Sequence, residues 1–186
     1  MNDKTIETIF GSAVRVKIIK IFVFNPEKTF DAVSIGEKVS LTKARAQKEI
    51  KALEKAGLVV RKGRGFILNK GCSYLLPLQE FLPATNPTRE EIVKKLSAVG
   101  RVQLVILSGI FIQNPDSRLD LLVVGDKINK ARLSKALQSL ESRVGKELLF
   151  SVFDRADFKY RLDMKDKLIM DVLDFPHEKI VNKLGM

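Results

Sequence analysis

The chain has 186 residues with 45% hydrophobic and 30% charged content, so it is long enough for one domain or two small ones. That balance excludes a disordered chain, and no apolar run approaches the roughly 18 residues that would span a bilayer. The N-terminal stretch Met1-Asn2-Asp3-Lys4-Thr5-Ile6-Glu7 carries acids and has no apolar core, so no signal peptide is read there and a cytoplasmic protein is expected. Cys72 is the only cysteine, which excludes an internal disulfide; a lone cysteine is ordinarily a small apolar packing residue.

The formal net charge is +11 and it is unevenly placed. Residues 1–70 hold 15 Lys and Arg against 7 Asp and Glu, a net of +8, whereas residues 71–186 hold 18 against 15, a net of +3. A basic segment joined to a nearly neutral one points to a polyanionic partner for the first. Charge alone does not separate DNA from RNA or anionic lipid.

In chain order, Val14, Ile18, Ile21 and Phe22 fall on one face of a helix over 12–24, with Ser12 as N-cap and Asn25-Pro26-Glu27-Lys28 as its stop. A short helix from Phe30 or Asp31 to Lys38 turns Val33, Ile35 and Val39 to a core. Ser40 is expected to cap a third helix reaching about Ala56, with Ala46, Ile50 and Leu53 inward and Lys43, Ala44, Gln47, Lys48 and Lys51 outward; Gly57 ends it. Two β-prone runs, 58–61 and 66–68, flank Lys62-Gly63-Arg64-Gly65 as a hairpin. A connector over 71–98 is punctuated by prolines and closes on a capping box, Thr88 with Glu91, that starts a helix with Ile92, Val93 and Leu96 inward. The remainder, 99–186, reads as strand 102–107, strand 119–124, helix 128–144, strand 148–153, a largely helical stretch 154–173 and, beyond Pro176, a short terminal helix. The fold class expected is α/β (α+β), with no internal repeat.

Three helices and a basic hairpin in this order make a winged helix over 1–70. A major groove about 12 Å wide admits one helix, whose outward face must offer donors to phosphates and base edges. Thr42, Lys43, Gln47, Lys48 and Lys51 supply them, with Arg45 on the flank, and Arg61, Lys62 and Arg64 carry charge on the hairpin. The stretches Val39-Ser40-Leu41-Thr42-Lys43 and Ile50-Lys51-Ala52-Leu53-Glu54-Lys55-Ala56-Gly57-Leu58-Val59 resemble the winged helix-turn-helix transcription regulators of bacteria and archaea over residues 8–70. The resemblance implies that the third helix reads double-stranded DNA while the wing touches the backbone. The alternative use of such a domain is a protein-interaction adaptor.

The second part carries Ser108-Gly109, a loop, and then Arg118-Leu119-Asp120 entering an apolar strand. This resembles the signature of minimal nucleotidyltransferases over about 99–165: a Gly-Ser pair after one strand, two Asp spaced by one residue on the next, and a third acid on the following strand. In that family the carboxylates hold divalent ions that clamp a triphosphate. Here Ile110 stands in place of the Ser, Arg118 in place of the first Asp, and Leu149 or Ser151 where the third acid falls; Gly109 and Asp120 match. Arg118 and Asp120 are expected to form an ion pair rather than a metal site. Asp163, Asp166, Asp171 and Asp174 read as a solvated helix face, and His177 as a surface or packing residue.

The expectation is therefore a transcription regulator whose second domain is a pseudoenzyme, with no cofactor and no metal, used for dimerisation or ligand sensing. Partners expected are double-stranded DNA and no membrane, with a homodimer through Tyr74, Leu75, Leu76, Leu78, Phe81 and Leu82 and a phosphate-bearing ligand at Ser108-Gly109 and Arg118 as further options. The alternative is an active, antitoxin-like metal-dependent nucleotidyltransferase.

Overall fold

The computed structural model describes residues 8–114 and 116–185. The chain is mixed α and β with two sheets, and it divides into two units: Met1–Asn86 with Leu140–Lys146, and Pro87–Ser139 with Glu147–Met186.

In the first unit, α1 (Ala13–Val23) starts where the Ser12 side chain accepts the Arg15 N–H at 3.0 Å. Ile18 and Phe22, one turn apart, are fully buried. Phe30 follows in extended form and then α2 (Ala32–Val39) opens on a capping box between Asp31 and Ser34. The Ser34 backbone N–H on its carboxylate, helped by the Ser34 hydroxyl, holds the Asp31 carboxyl below its ordinary value. Val33 does not join the core: it lies about 200° around the helix from Ile35 and is 44% exposed.

Ser40 does not cap the third helix. It ends α2 in the left-handed region, φ 58°, and the Leu41 N–H reaches back to Gly36 O at 2.8 Å. The cap of α3 (Lys43–Lys55) is Thr42, whose hydroxyl accepts the Arg45 N–H. Both residues are competent N-caps; the chain needs the first to reverse direction and so the second starts the helix.

Gly57, φ +76°, releases the chain from α3 into the antiparallel hairpin β1 (Val59–Lys62) and β2 (Gly65–Leu68). Lys62 pairs with Gly65, so the turn is Gly63-Arg64 alone, with Gly63 at φ +59°. Phe30 and Phe66 exchange both backbone hydrogen bonds, at 2.8 and 2.9 Å, which adds a one-residue third strand to the hairpin. Gly65 permits it: a Cβ there would stand 2.8 Å from Phe30 O. Phe22 meets the Phe30 ring edge to face at 5.6 Å and closes the core under the sheet.

Beyond the hairpin, α4 (Leu75–Phe81) buries Leu82 after its last turn and stacks Phe81 on Phe10, while Tyr74 and Leu76 stay exposed. Segment Leu140–Lys146 packs into this unit so closely that a Cβ on Gly145 would come within 2.4 Å of Lys20 Cβ. Lys20, 1% exposed, gives its ammonium hydrogens to Arg143 O at 2.8 Å and Asn86 Oδ1 at 2.9 Å. The cation sits at the end of a helix, where the carbonyl dipoles favour it.

In the second unit, α5 (Arg89–Ser97) begins at the expected box, with Thr88 N–H on Glu91 Oε2 at 2.9 Å and Glu91 N–H on Thr88 Oγ1 at 3.4 Å. There follow β3 (Arg101–Leu107), β4 (Leu121–Asp126), α6 (Lys130–Val144, its end counted with the first unit), β5 (Phe150–Phe153), α7 (Arg155–Asp163), α8 (Lys167–Asp174) and β6 (Glu178–Asn182). The sheet order is β5-β4-β3-β6; β4 is antiparallel to β3 and parallel to β5, and β6 is antiparallel to β3. The expected terminal helix is thus a strand: Ile180 and Val181 are β-branched and the edge of β3 was open to receive them. The long helical stretch breaks at Met164–Asp166, where Asp166 caps α8 by accepting Leu168 and Ile169 N–H groups. Alternate residues of β3 and β4, Leu104, Ile106, Leu122 and Val124, form one core with Phe158, Ile169 and Val172 from α7 and α8. Among the described residues no helix is long and apolar enough to cross a membrane.

Candidate nucleic-acid interface

The burial of Ala46, Ile50 and Leu53 fixes the rotation of α3. Lys43, Arg45, Lys48 and Lys51 are consequently exposed, and Gln47 lies half-buried between them. The Thr42 hydroxyl accepts a backbone N–H, which leaves its own proton free to donate. The first-turn N–H groups of α3 add partial positive charge at the same end. Glu49 is removed from this face by Arg15, whose Nε donates to Glu49 Oε2 at 2.8 Å. That pair spans α1 and α3, 34 positions apart, and periodicity gave no sign of it.

On the hairpin, Arg61, Lys62 and Arg64 are exposed. Among the described residues none of Lys43, Arg45, Lys48, Lys51, Arg61, Lys62 and Arg64 has a carboxylate within 4.0 Å. Four cations around the outward side of α3 and three on the hairpin, none with a carboxylate within 4.0 Å among the described residues, form a basic surface on which Asp31 and Glu27 act on Lys43 and Lys62 only at longer range.

In the second unit, Ser108-Gly109 and Asp120 do come together. Ser108 N–H donates to Asp120 O at 3.0 Å, and the Ser108 hydroxyl donates to Leu119 O. Both Asp120 oxygens are engaged by backbone: Oδ1 accepts Ile110 N–H and Oδ2 accepts Leu149 N–H, each at 2.8 Å, in a residue 8% exposed. Gly109, φ +52°, has no substitute, since a Cβ would stand 2.1 Å from Asp120 Oδ1. Asp120 therefore pins the 108–111 turn and the approach to β5.

Arg118 does not pair with Asp120, as the sequence suggested. Its Nε lies 2.6 Å from Asp171 Oδ2 on α8, and Asp171 leaves the solvated face assigned to it. Both Asp120 oxygens are held by backbone N–H groups, and α8 brings Asp171 to the strand entry beside Arg118. Ser151 is half-buried on the following strand, opposite Leu122, and Leu149, just before that strand, is exposed. Asp116 is exposed in the loop. Among the described residues no three of His, Cys, Asp or Glu gather as a metal site. His177 Nδ1 lies 2.9 Å from Phe175 O. Cys72 is half-buried with a free thiol.

No family model, curated protein or solved structure matches this chain.

Proposed function

We propose that the chain is a DNA-binding transcription regulator. The first unit is read as a winged helix that lays α3 in the major groove, with the hairpin as its wing. The second is read as a nucleotidyltransferase-like domain without the chemistry, serving in dimerisation or ligand sensing. The observation that carries the reading is the set of seven exposed cations on α3 and the hairpin with no carboxylate within 4.0 Å among the described residues. The order helix, bridge, helix, helix, hairpin supports the winged-helix part. The antiparallel β3–β4 pair followed by a helical crossover to parallel β5 supports the nucleotidyltransferase-like part. The engagement of both Asp120 oxygens by backbone N–H groups, and the guanidinium of Arg118 where a second acid would be needed, argue against a shared metal at that strand.

Selection from a random duplex pool tests the assignment of roles. Gln47→Ala should relax preference at one base position by about 1–3 kcal/mol, because an amide side chain reads a base edge. Arg64→Ala should weaken all sequences roughly alike, because the hairpin turn meets backbone. Identical changes of preference in the two variants would overturn the division of roles, and no enrichment of duplex DNA by the wild type would overturn the function.

A further inference from the structure

We infer that the second unit self-associates through the open edge of β5, a second copy of this chain adding its own β5 antiparallel to it. The inference is independent of the DNA-binding reading.

β5 is the terminal strand on one side of the sheet. Leu121 N–H donates to Leu149 O at 3.2 Å, so by the two-residue period of a strand the backbone groups of Leu149, Ser151 and Phe153 face β4. Those of Phe150 and Val152 face away, with no strand beyond them among the described residues. Strand edges are normally blunted by charge, proline or a bulge, because they are templates for another strand. The run Leu148-Leu149-Phe150-Ser151-Val152-Phe153 has no charged residue, no proline and no glycine. Leu149 is 60% and Phe150 42% exposed on it.

The occupant is specified by self-complementarity. The outward groups permit an antiparallel register in which Phe150 of each copy pairs with Val152 of the other, about a twofold axis at Ser151. In that register Leu149 stands opposite Phe153, an apolar pair. Two residues further out, Glu147 of one copy stands at the same end of the ribbon as Arg155 of the other, and the twofold repeats this at the other end. Both are exposed. A two-residue shift keeps the backbone bonds but trades this pair for Lys146 opposite Asp154 in one direction and for Glu147 opposite Asp157 in the other, and only the Ser151-centred register also sets Leu149 opposite Phe153. The product is one continuous sheet running β6-β3-β4-β5 through its twofold copy.

Light scattering or sedimentation of the full chain at micromolar concentration is the test, with three variants. The wild type should be a dimer. Val152→Pro removes an N–H that points away from β4, a position an edge strand tolerates, and should raise the dimer dissociation constant at least about tenfold. Glu147→Arg and Arg155→Glu should each weaken the dimer, and the two together should restore it. Circular dichroism reports whether each variant is folded; should Val152→Pro fail to fold, the charge-swap set decides. A wild type that stays monomeric, a dimer indifferent to Val152→Pro, or a double variant as weak as the single ones would overturn the inference.

Discussion

Asp120→Ala is expected to destabilise the second unit by about 3–6 kcal/mol, since a hydrogen bond to a charged group contributes roughly 1.5–3 kcal/mol and two are lost. The carboxylate holds two backbone donors from different segments, Ile110 in the turn after β3 and Leu149 before β5. At 8% exposure, water does not replace it. Asp120→Asn should cost less, about 2 kcal/mol, because the amide keeps one acceptor and points its NH₂ at the other donor. Urea unfolding followed by circular dichroism checks both, and the chain, having no Trp, gives no indole signal to follow instead. Variants within about 0.5 kcal/mol of the wild type would show that the pin is dispensable.

The second large effect is on binding. The combined change Lys43→Ala, Lys48→Ala and Arg64→Ala is expected to weaken duplex DNA binding about a hundredfold at moderate salt. It should also flatten the salt dependence by about 2.7 in the slope of log K on log salt, near 0.9 for each phosphate contact removed. All three side chains are exposed with no carboxylate within 4.0 Å among the described residues, so their loss should leave thermal stability close to that of the wild type. Fluorescence anisotropy with a labelled duplex gives both numbers. A triple variant that binds with the wild-type slope would move the contact surface elsewhere.

The parts of this chain that were legible in the sequence are those set by local rules. Ser12, the Thr88–Glu91 box, the terminating Gly57 and the Gly63 turn lie where caps and turns are expected, because each acts within three or four residues. The outward face of α3 follows from the inward spacing of Ala46, Ile50 and Leu53. What was not legible depends on partners far along the chain. The terminal segment 178–182 is short and had no periodicity of its own; the open edge of β3 decided that it is a strand. Arg118 looked toward Asp120 by proximity in sequence, yet the backbone donors of Ile110 and Leu149 had already claimed that carboxylate. The burial of Lys20 among hydrophobic neighbours gave no signal, since a basic residue between apolar ones on a helix ordinarily reaches solvent. Ser40 and Thr42 show the intermediate case: the cap residue types were right and the choice between them rested on the left-handed turn that separates α2 from α3.

The measurement that bears most directly on the central reading is a titration of the full chain with duplex DNA as salt is raised from about 50 to 200 mM. Seven exposed cations on α3 and the hairpin, if most meet phosphate, predict binding at low salt and a log–log slope steeper than about −3, at roughly −0.9 for each contact. A flat slope, or no binding at the lowest salt, would contradict it.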